Sequence, residues 1–376
     1  MSGISFAGER LAMNSRNRLK LGMFGSNCSS GLAATKVPER WSGSWSDNLT
    51  LAQMLDDAGI EFMLPVGRWK GYGGATDPEA ATFETVTWAT GMLSVTHKIV
   101  VFGTVHAPLI HPVYAAKMCV TADHAGEGRF GLNVVCGWNQ DEFDMFGAQQ
   151  REHDGRYAHG SEWLDIVSRL WTEEAPFDYS GEFFQLKGLQ ALPKPHGGTR
   201  PLIMNAGAST AGKAFAIRHA DNLFTRFSTI EGAVEEGREI RRQAKDLGRA
   251  LNICTGTNVV CRPTTREAEE YYHYFADEMA DWEAVDHKSG VARKYGIQTA
   301  EYAAHHANRV RQAAGYGAHE CVGDPDRVAG ELAQLSEAGF TALALGFVNY
   351  IDEFPYFRDE VLPRLEALGV RERRSR

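Results

Sequence analysis

The chain of 376 residues has few cysteines, no long apolar run and no excess of basic residues. Its six cysteines include no CxxC pair, which predicts reduced thiols rather than a disulfide scaffold or a zinc site. No stretch approaches the roughly 18 uninterrupted apolar residues of a membrane helix, and residues 1–18 lack the apolar core of a secretory signal. These shortages predict a cytoplasmic protein without a membrane segment.

Acidic residues outnumber basic ones, with 48 Asp and Glu against 39 Lys and Arg and a net charge of −9. Because the chain has no broad positive field to attract a phosphate backbone, we expect no nucleic-acid partner. The 13 histidines show no HExxH or comparable ligand spacing, and no GxSxG turn is present. The motifs therefore predict neither a bound metal nor a serine nucleophile.

Short apolar runs alternate with longer stretches that have the spacing of amphipathic helices, such as SEWLDIVSRLW at 161–171. Alternation of this kind implies parallel strands joined by crossover helices, and eight units favour a closed (β/α)8 TIM barrel over an open sheet. The eight candidate strands are 19–24, 61–66, 98–105, 129–135, 201–206, 222–227, 252–261 and 340–347.

Two segments, 136–200 and 262–320, are longer than one crossover helix requires. The second is predicted to add helices before the last strand, at the C-terminal mouth of the barrel, where inserts form lids or substrate walls. No repeat, low-complexity tract or Pro-rich linker marks a second domain. The prediction is a single domain over 1–376, with a core of about 19–368 and an insert of about 262–320.

Polar residues and glycines follow several predicted strands, among them Thr104 and His106 after the third run and NVVCGWN (133–139) at the fourth. Since the carboxyl ends of barrel strands meet at one mouth, we expect these groups to ring one cavity.

Two short motifs suit a phosphate, although each has an ordinary structural explanation. GASTAG (207–212) can present backbone N–H groups and the Ser209 hydroxyl at a helix N-terminus, and a glycine turn with a serine cap explains it equally well. Its position and spacing do not match the dinucleotide fingerprint. Arg156 and Tyr157 offer a guanidinium and a phenol, with a surface arginine packed on its helix as the alternative.

Longer stretches resemble a known family. RFGLNVVCGWNQDEFDMFG (129–147), HDGRYAHGSEWLDIVSRLW (153–171) and GEFFQLKGLQALPKP (181–195) resemble the central block of luciferase-like flavin-dependent monooxygenases, especially the pyrimidine and dimethyl sulfone monooxygenases. GRWKGYGG (67–74) and PLIMNAGASTAG (201–212) resemble the same family. The resemblance spans roughly 19–368 and is weakest in the insert.

The resemblance implies a TIM barrel that binds FMN, reduced by a separate NAD(P)H-dependent flavin reductase, in a homodimer or homotetramer. It implies that O2 meets the reduced flavin beside N5, in a pocket made by Leu64, Thr104, Asn133 and Trp138. The hydroxyl and amide suit a developing negative oxygen, and the two apolar side chains exclude water. The implied FMN contacts are Gly67, Arg68, Asn133, Glu142, Arg156, Tyr157 and Ser209.

The chain departs from its relatives where the resemblance would place the substrate. FVNY (347–350) stands where pyrimidine monooxygenases have an acidic pair, and His106 and Arg226 also differ, so uracil is in doubt as the substrate. Arg226 suits an anionic group or a salt bridge to a lid carboxylate, and His106 suits either proton transfer or a structural hydrogen bond. The candidate substrate contacts are His106, Arg226, Phe347 and Asn349.

The sequence favours an FMN-dependent monooxygenase that acts on a small heterocyclic or organosulfur substrate. A coenzyme F420-dependent dehydrogenase on the same barrel and a flavin-binding protein without turnover are the alternatives. Oxygen consumption distinguishes the first alternative from an oxygenase, and turnover distinguishes the second.

Overall fold

The computed structural model describes residues 11–227, 229–294 and 306–373. Its strands, in chain order, are β1 Lys20–Phe24, β2 Phe62–Leu64, β3 Val100–His106, β4 Phe130–Val135, β5 Phe177–Ser180, β6 Gln185–Leu189, β7 Leu202–Ala206, β8 Asn222–Phe224, β9 Asn252–Cys261, β10 His319–Gly323 and β11 Ala342–Gly346.

Eight of these strands close into a parallel barrel. Hydrogen bonds join them in the order β1, β2, β3, β4, β7, β8, β9 and β11, and β11 returns to β1. Every residue of β3 is buried, as expected for a strand covered on both faces. The predicted TIM barrel and its eight strands are therefore confirmed, although the run 222–227 forms a strand only as far as Phe224.

Three strands lie outside the predicted set. β10 pairs in parallel with the C-terminal half of β9, from His319 beside Thr257 to Gly323 beside Cys261. β5 and β6 form an antiparallel hairpin in the long segment after β4. Both regions are only partly buried, so their sequences lack the continuous apolar character that marked the barrel strands.

The barrel interior is filled by large rings placed beside glycines. Phe62 stands in register with Gly22, and Phe102 stands in register with Gly131. A Cβ at Gly22 would lie 2.5 Å from the Phe62 ring, and one at Gly131 would lie 2.4 Å from the Phe102 ring. The two rings meet edge to face, with their centroids 6.1 Å apart.

The helices surround the barrel and bury a second apolar layer between themselves and the strands, with Trp88 and Trp163 among its fully buried side chains. None of the described helices has the length and apolar character needed to cross a membrane. All six cysteines are buried and unpaired. The helices are α1 Trp45–Asp57, α2 Thr85–Ser94, α3 Pro112–Ala125, α4 Gln140–Met145, α5 His153–Thr172, α6 Thr210–His219, α7 Ile230–Asp246, α8 Thr265–His273, α9 Trp282–Lys294, α10 His306–Gly315, α11 Pro325–Glu337, α12 Tyr350–Tyr356 and α13 Leu362–Ala367.

Extra helices lie between β9 and β10, in the segment where the insert is predicted. α8 continues into a π-helical turn at Tyr274–Glu278, and α9 and α10 follow. The loop after β1 holds this insert, because the Thr35 hydroxyl donates to the Phe275 carbonyl at 2.7 Å and Ala34 N donates to the Ala313 carbonyl at 2.8 Å. The insert therefore packs against the end of the barrel at which the strands terminate.

Candidate active site

A threonine and an asparagine lie side by side near the carboxyl ends of β3 and β4. Thr104 and Asn133 are in register, and Asn133 Nδ2 donates to Thr104 Oγ1 at 3.1 Å. Thr104 Oγ1 donates in turn to the Pro65 carbonyl at 2.8 Å. Both side chains are buried, and Asn133 Oδ1 has no hydrogen-bond partner. A buried carbonyl oxygen without a donor is costly, so this atom is suited to an N–H group of a ligand.

The loop after β2 passes unusually close to this pair. A Cβ at Gly67 would lie 2.9 Å from Thr104 Cγ2 and 2.8 Å from His106 Cε1, so the absence of a side chain lets the loop approach the strand ends. Leu64 ends β2, is buried, and belongs to the apolar cluster inside the barrel. The strand beside β3 therefore ends in a buried apolar side chain.

Arg68 lies at the centre of a buried group of charges. Its guanidinium donates to Glu142 at 2.8 Å and to Glu79 at 3.3 Å, and it lies 5.1 Å from the centroid of the Trp138 ring. Only 4% of the Arg68 side chain is exposed. Glu142 also accepts from the backbone N–H of Trp69 at 3.1 Å. This arrangement fixes both the loop and the Trp138 ring relative to β4.

His106 is neutral at the edge of this group. Its Nε2 lies 3.7 Å from Glu142 Oε2. Burial lowers the pKa of His106, and although Glu142 acts to raise it, the charge of Arg68 lowers it further. The contact with Glu142 is therefore not an ion pair at neutral pH.

The candidate site has two arms. The first arm comprises the Thr104 and Asn133 pair with the group around Arg68, and the second arm comprises Arg156, Tyr157 and Ser209. Ser209 caps α6 by accepting from Gly212 N at 3.1 Å, and the Tyr157 hydroxyl lies 3.3 Å from Ser209 Oγ. Arg156 donates to the Gly137 carbonyl at 2.8 Å, and its buried Nε has no hydrogen-bond partner. Tyr157 and Ser209 thus meet at the N-terminus of a ten-residue helix, where backbone N–H groups favour an anion, and Arg156 is the neighbour of Tyr157 on α5.

The segment after β4 connects the two arms. Gly137, with a φ of +82°, accepts from Arg156, and the next residue, Trp138, packs on Arg68. One hydrogen bond and one ring contact therefore link Arg156 to Arg68 through residues 137 and 138.

Two predicted substrate residues are committed to other contacts. Phe347 is buried, with its ring centroid 5.7 Å from that of Phe357. Asn349 caps α12, donates to the Glu39 carbonyl at 3.0 Å, and borders a separate cavity of about 420 Å³. The structure does not bring these two side chains to the Thr104 and Asn133 pair, whereas Arg226 follows β8 at the mouth and is exposed.

The sequence did not indicate Glu79, Lys288 or Tyr316. Glu79 accepts from Lys288 Nζ at 2.9 Å and from the Tyr316 hydroxyl, and so joins the Arg68 group to the insert. Burial acts to raise the pKa of Glu79, but the charges of Lys288 and Arg68 outweigh it and lower the pKa. The positive φ of Glu79, +66°, is a conformation that no local sequence pattern announced.

Comparison with known proteins assigns the family. The model of the luciferase-like monooxygenases matches residues 20–342, which is most of the chain. The chain belongs to the luciferase-like monooxygenase family. The resemblance predicted from the motifs is thereby confirmed.

Two curated relatives match nearly the whole chain. An FMNH2-dependent dimethylsulfone monooxygenase of Pseudomonas fluorescens is 28% identical over 368 residues, which cover 96% of this chain and 98% of the relative. The pyrimidine monooxygenase RutA of Acinetobacter baylyi is 26% identical, with coverage of 93% and 95%. Both sub-branches named by the resemblance are thus among the relatives of this chain.

Among solved structures, DmoA from Hyphomicrobium sulfonivorans superimposes with a TM-score of 0.82 at 21% identity. The match covers 95% of this chain and 89% of DmoA. It supports the fold of the barrel and insert together.

Proposed function

We propose that the chain is an FMN-dependent monooxygenase that uses reduced flavin and O2 to insert one oxygen atom into a small organic substrate. The proposal includes an NAD(P)H:flavin reductase as the source of reduced FMN, a homodimer or homotetramer as the assembly, and the cytoplasm as the location. Family membership and FMNH2-dependent relatives support it. When bound, reduced FMN supplies the electrons that activate O2.

The observation that carries the proposal is the unpartnered Oδ1 of Asn133. This buried amide oxygen lies beside a threonine hydroxyl and fits an N–H donor on the edge of a flavin ring. The loop after β2 can approach the pair closely because Gly67 has no side chain. The same Asn133 side chain donates through Nδ2 to Thr104, and this bond orients its oxygen.

Arg156, Tyr157 and Ser209 are proposed to hold the phosphate end. The unpartnered Arg156 Nε, the Tyr157 phenol and the N-terminus of α6 supply donors, and phosphate oxygens are acceptors. Because these groups connect through Gly137 to Trp138, one elongated ligand can reach both arms.

Thr104 and Asn133 are proposed to stabilise negative charge that develops on oxygen. Both groups are neutral hydrogen-bonding side chains in a buried site, where a positioned donor lowers the energy of a developing charge more than it does in water. Leu64 and the Trp138 ring are proposed to keep water away from the reacting atoms. Arg68 and Gly67 position the loop that closes this side, and Glu142 holds Arg68.

Oxygen uptake tests the proposal. The chain, FMN, NADH and a flavin reductase are mixed, and O2 consumption is followed with and without dimethyl sulfone and a panel of small heterocycles, with hydrogen peroxide measured to subtract uncoupled oxidation. Substrate-dependent O2 uptake with formation of an oxygenated product is expected. FMN binding without turnover would favour the flavin-binding protein, and hydride transfer from a substrate to added oxidised F420 without O2 uptake would favour the dehydrogenase.

A further inference from the structure

Lys288 brings a charged side chain from the insert to the mouth of the barrel. It lies on α9, its side chain is only 12% exposed, and its Nζ is 2.9 Å from Glu79 and 3.1 Å from the centroid of the Tyr316 ring. Neither the motifs nor the family resemblance indicated this residue. Its position ties the insert to the same carboxylate that binds Arg68.

Three aromatic rings line the mouth beside Lys288. Phe24 at the end of β1 lies 5.4 Å from Phe224 at the end of β8 and 6.1 Å from Tyr316, measured between ring centroids. Each of the three rings is half-buried. Their remaining surface can contact an apolar or aromatic part of a ligand.

Arg226 is exposed and follows Phe224 by two residues, so it lies at the same carboxyl end of the barrel. Burial lowers the pKa of Lys288 to about 8, Glu79 opposes this, and the charges of Arg68 and Arg226 lower it further. No ion pair joins Arg226 to any residue in the described ranges, so the salt bridge to a lid carboxylate is not formed there.

Among the charged groups named here, positive charges outnumber negative ones. Arg68, Lys288 and Arg226 contribute three positive charges, Glu79 and Glu142 contribute two negative ones, and His106 is neutral. The count, three minus two, leaves one positive charge on a chain whose net charge is −9. Among the described residues, the positive charge of this group that has no ion pair is that of the exposed Arg226, where a ligand from solvent can reach it.

We propose that the substrate carries an anionic group, which Arg226 and Lys288 hold while its apolar part rests on Phe24, Phe224 and Tyr316. This inference rests on the proposed function, because the mouth is taken to open onto the flavin. It specifies an organic anion, such as a sulfonate, sulfinate, carboxylate or phenolate. Neutral dimethyl sulfone lacks both the charge and the ring.

Two probes of similar shape test the charge preference. Benzenesulfonate and methyl phenyl sulfone differ chiefly by an anionic oxygen against a methyl group, and calorimetry measures their affinities for the FMN-loaded protein. We expect the anion to bind at least about tenfold more tightly, the factor for one charge-assisted hydrogen bond, and its affinity to fall as salt rises. Equal affinities, tighter binding of the sulfone, or no detectable binding of either probe at millimolar concentration would overturn the inference.

Substitutions locate the preference. Arg226→Gln should abolish the preference for benzenesulfonate while leaving methyl phenyl sulfone and FMN binding unchanged. Arg218→Gln, which removes the same charge from an exposed position on α6, should retain the preference for benzenesulfonate. Lys288→Met should also lower the affinity for benzenesulfonate. If Lys288→Met is unstable, Arg226→Gln remains the decisive variant. A preference retained in Arg226→Gln contradicts the proposal.

The cofactor provides the separating control, with FMN binding followed by quenching of its fluorescence. A chain that does not bind FMN overturns both the proposed function and this inference. A chain that binds FMN without preferring the anion overturns the inference alone. If Arg226→Gln lowers the affinity for FMN rather than for benzenesulfonate, Arg226 binds the cofactor and its assignment to the substrate is wrong.

Discussion

In the body of the barrel a cluster of apolar side chains is buried, whereas at its mouth Arg68, Glu79, Glu142 and Lys288 are buried together. The interior gains stability by removing apolar surface from water, and the Phe62 and Phe102 rings fill it. The mouth instead removes charges from water, which favours folding only where each charge has partners. Buried ionisable groups of this kind concentrate at functional sites, so the contrast supports the mouth as the proposed binding site.

Removing Arg68 should have the largest effect on stability. Arg68→Met leaves Glu79 and Glu142 buried with one cation fewer, so the free energy of unfolding should fall by about 3–5 kcal/mol, measured by urea denaturation. Arg242→Met removes an arginine whose ion pairs are exposed on α7 and should be close to neutral. Equal losses in the two variants would show that the mouth charges are no more tightly coupled than surface ones.

Substituting Asn133 or Thr104 should reduce turnover without unfolding the barrel. Asn133→Ala and Thr104→Val each remove a positioned group beside the proposed reacting oxygen, and the rate of product formation should fall by about 10²- to 10³-fold. FMN affinity should stay within a few-fold. Thr121→Val, on the exposed face of α3, is the matched control and should turn over normally. Unchanged turnover in Asn133→Ala would remove this residue from the mechanism.

A methyl group in the barrel interior should affect stability alone. Gly131→Ala places a Cβ 2.4 Å from the Phe102 ring, which should cost about 1–3 kcal/mol in the free energy of unfolding and leave FMN affinity unchanged. Phe102→Leu should relieve the clash, so the double variant should be more stable than the sum of the single effects implies. Gly330→Ala on α11, where a Cβ meets no atom within 4 Å, should not destabilise the chain. Additive losses would contradict the close packing inferred here.

Raising the pH should produce the smallest effect, and only at the mouth. The folded protein holds the pKa of Lys288 at about 8, below its usual 10.5, so its charge is present at pH 7 and is lost as the pH rises through 8. Lys288 faces Glu79, Arg68, Arg226 and Tyr316, and loss of its proton removes one positive charge from this group. Benzenesulfonate affinity should therefore fall a few-fold between pH 7 and 9 in the unmodified chain. A flat profile, or the same profile in Lys288→Met, would contradict this assignment.

The sequence predicted the barrel well because its strands are continuous apolar runs buried on both faces. The functions of Thr104, Asn133, Arg156, Tyr157 and Ser209 stay predictions, which the resemblance implies and which agree with their places after strands or at the starts of helices. The sequence did not predict β10, because the residues of β10 are only partly buried and the insert separates them in the chain from their partner strand β9. Glu79 and Lys288 are 209 residues apart, and no local pattern connects a carboxylate in one loop with an amine on a distant helix.

A structure of the chain crystallised with FMN tests the central claim most directly. We predict the flavin ring at the mouth, with one of its N–H groups within hydrogen-bond distance of Asn133 Oδ1, and the phosphate beside Ser209 and Arg156. FMN bound elsewhere, or bound with its ring edge away from Asn133, would contradict the account.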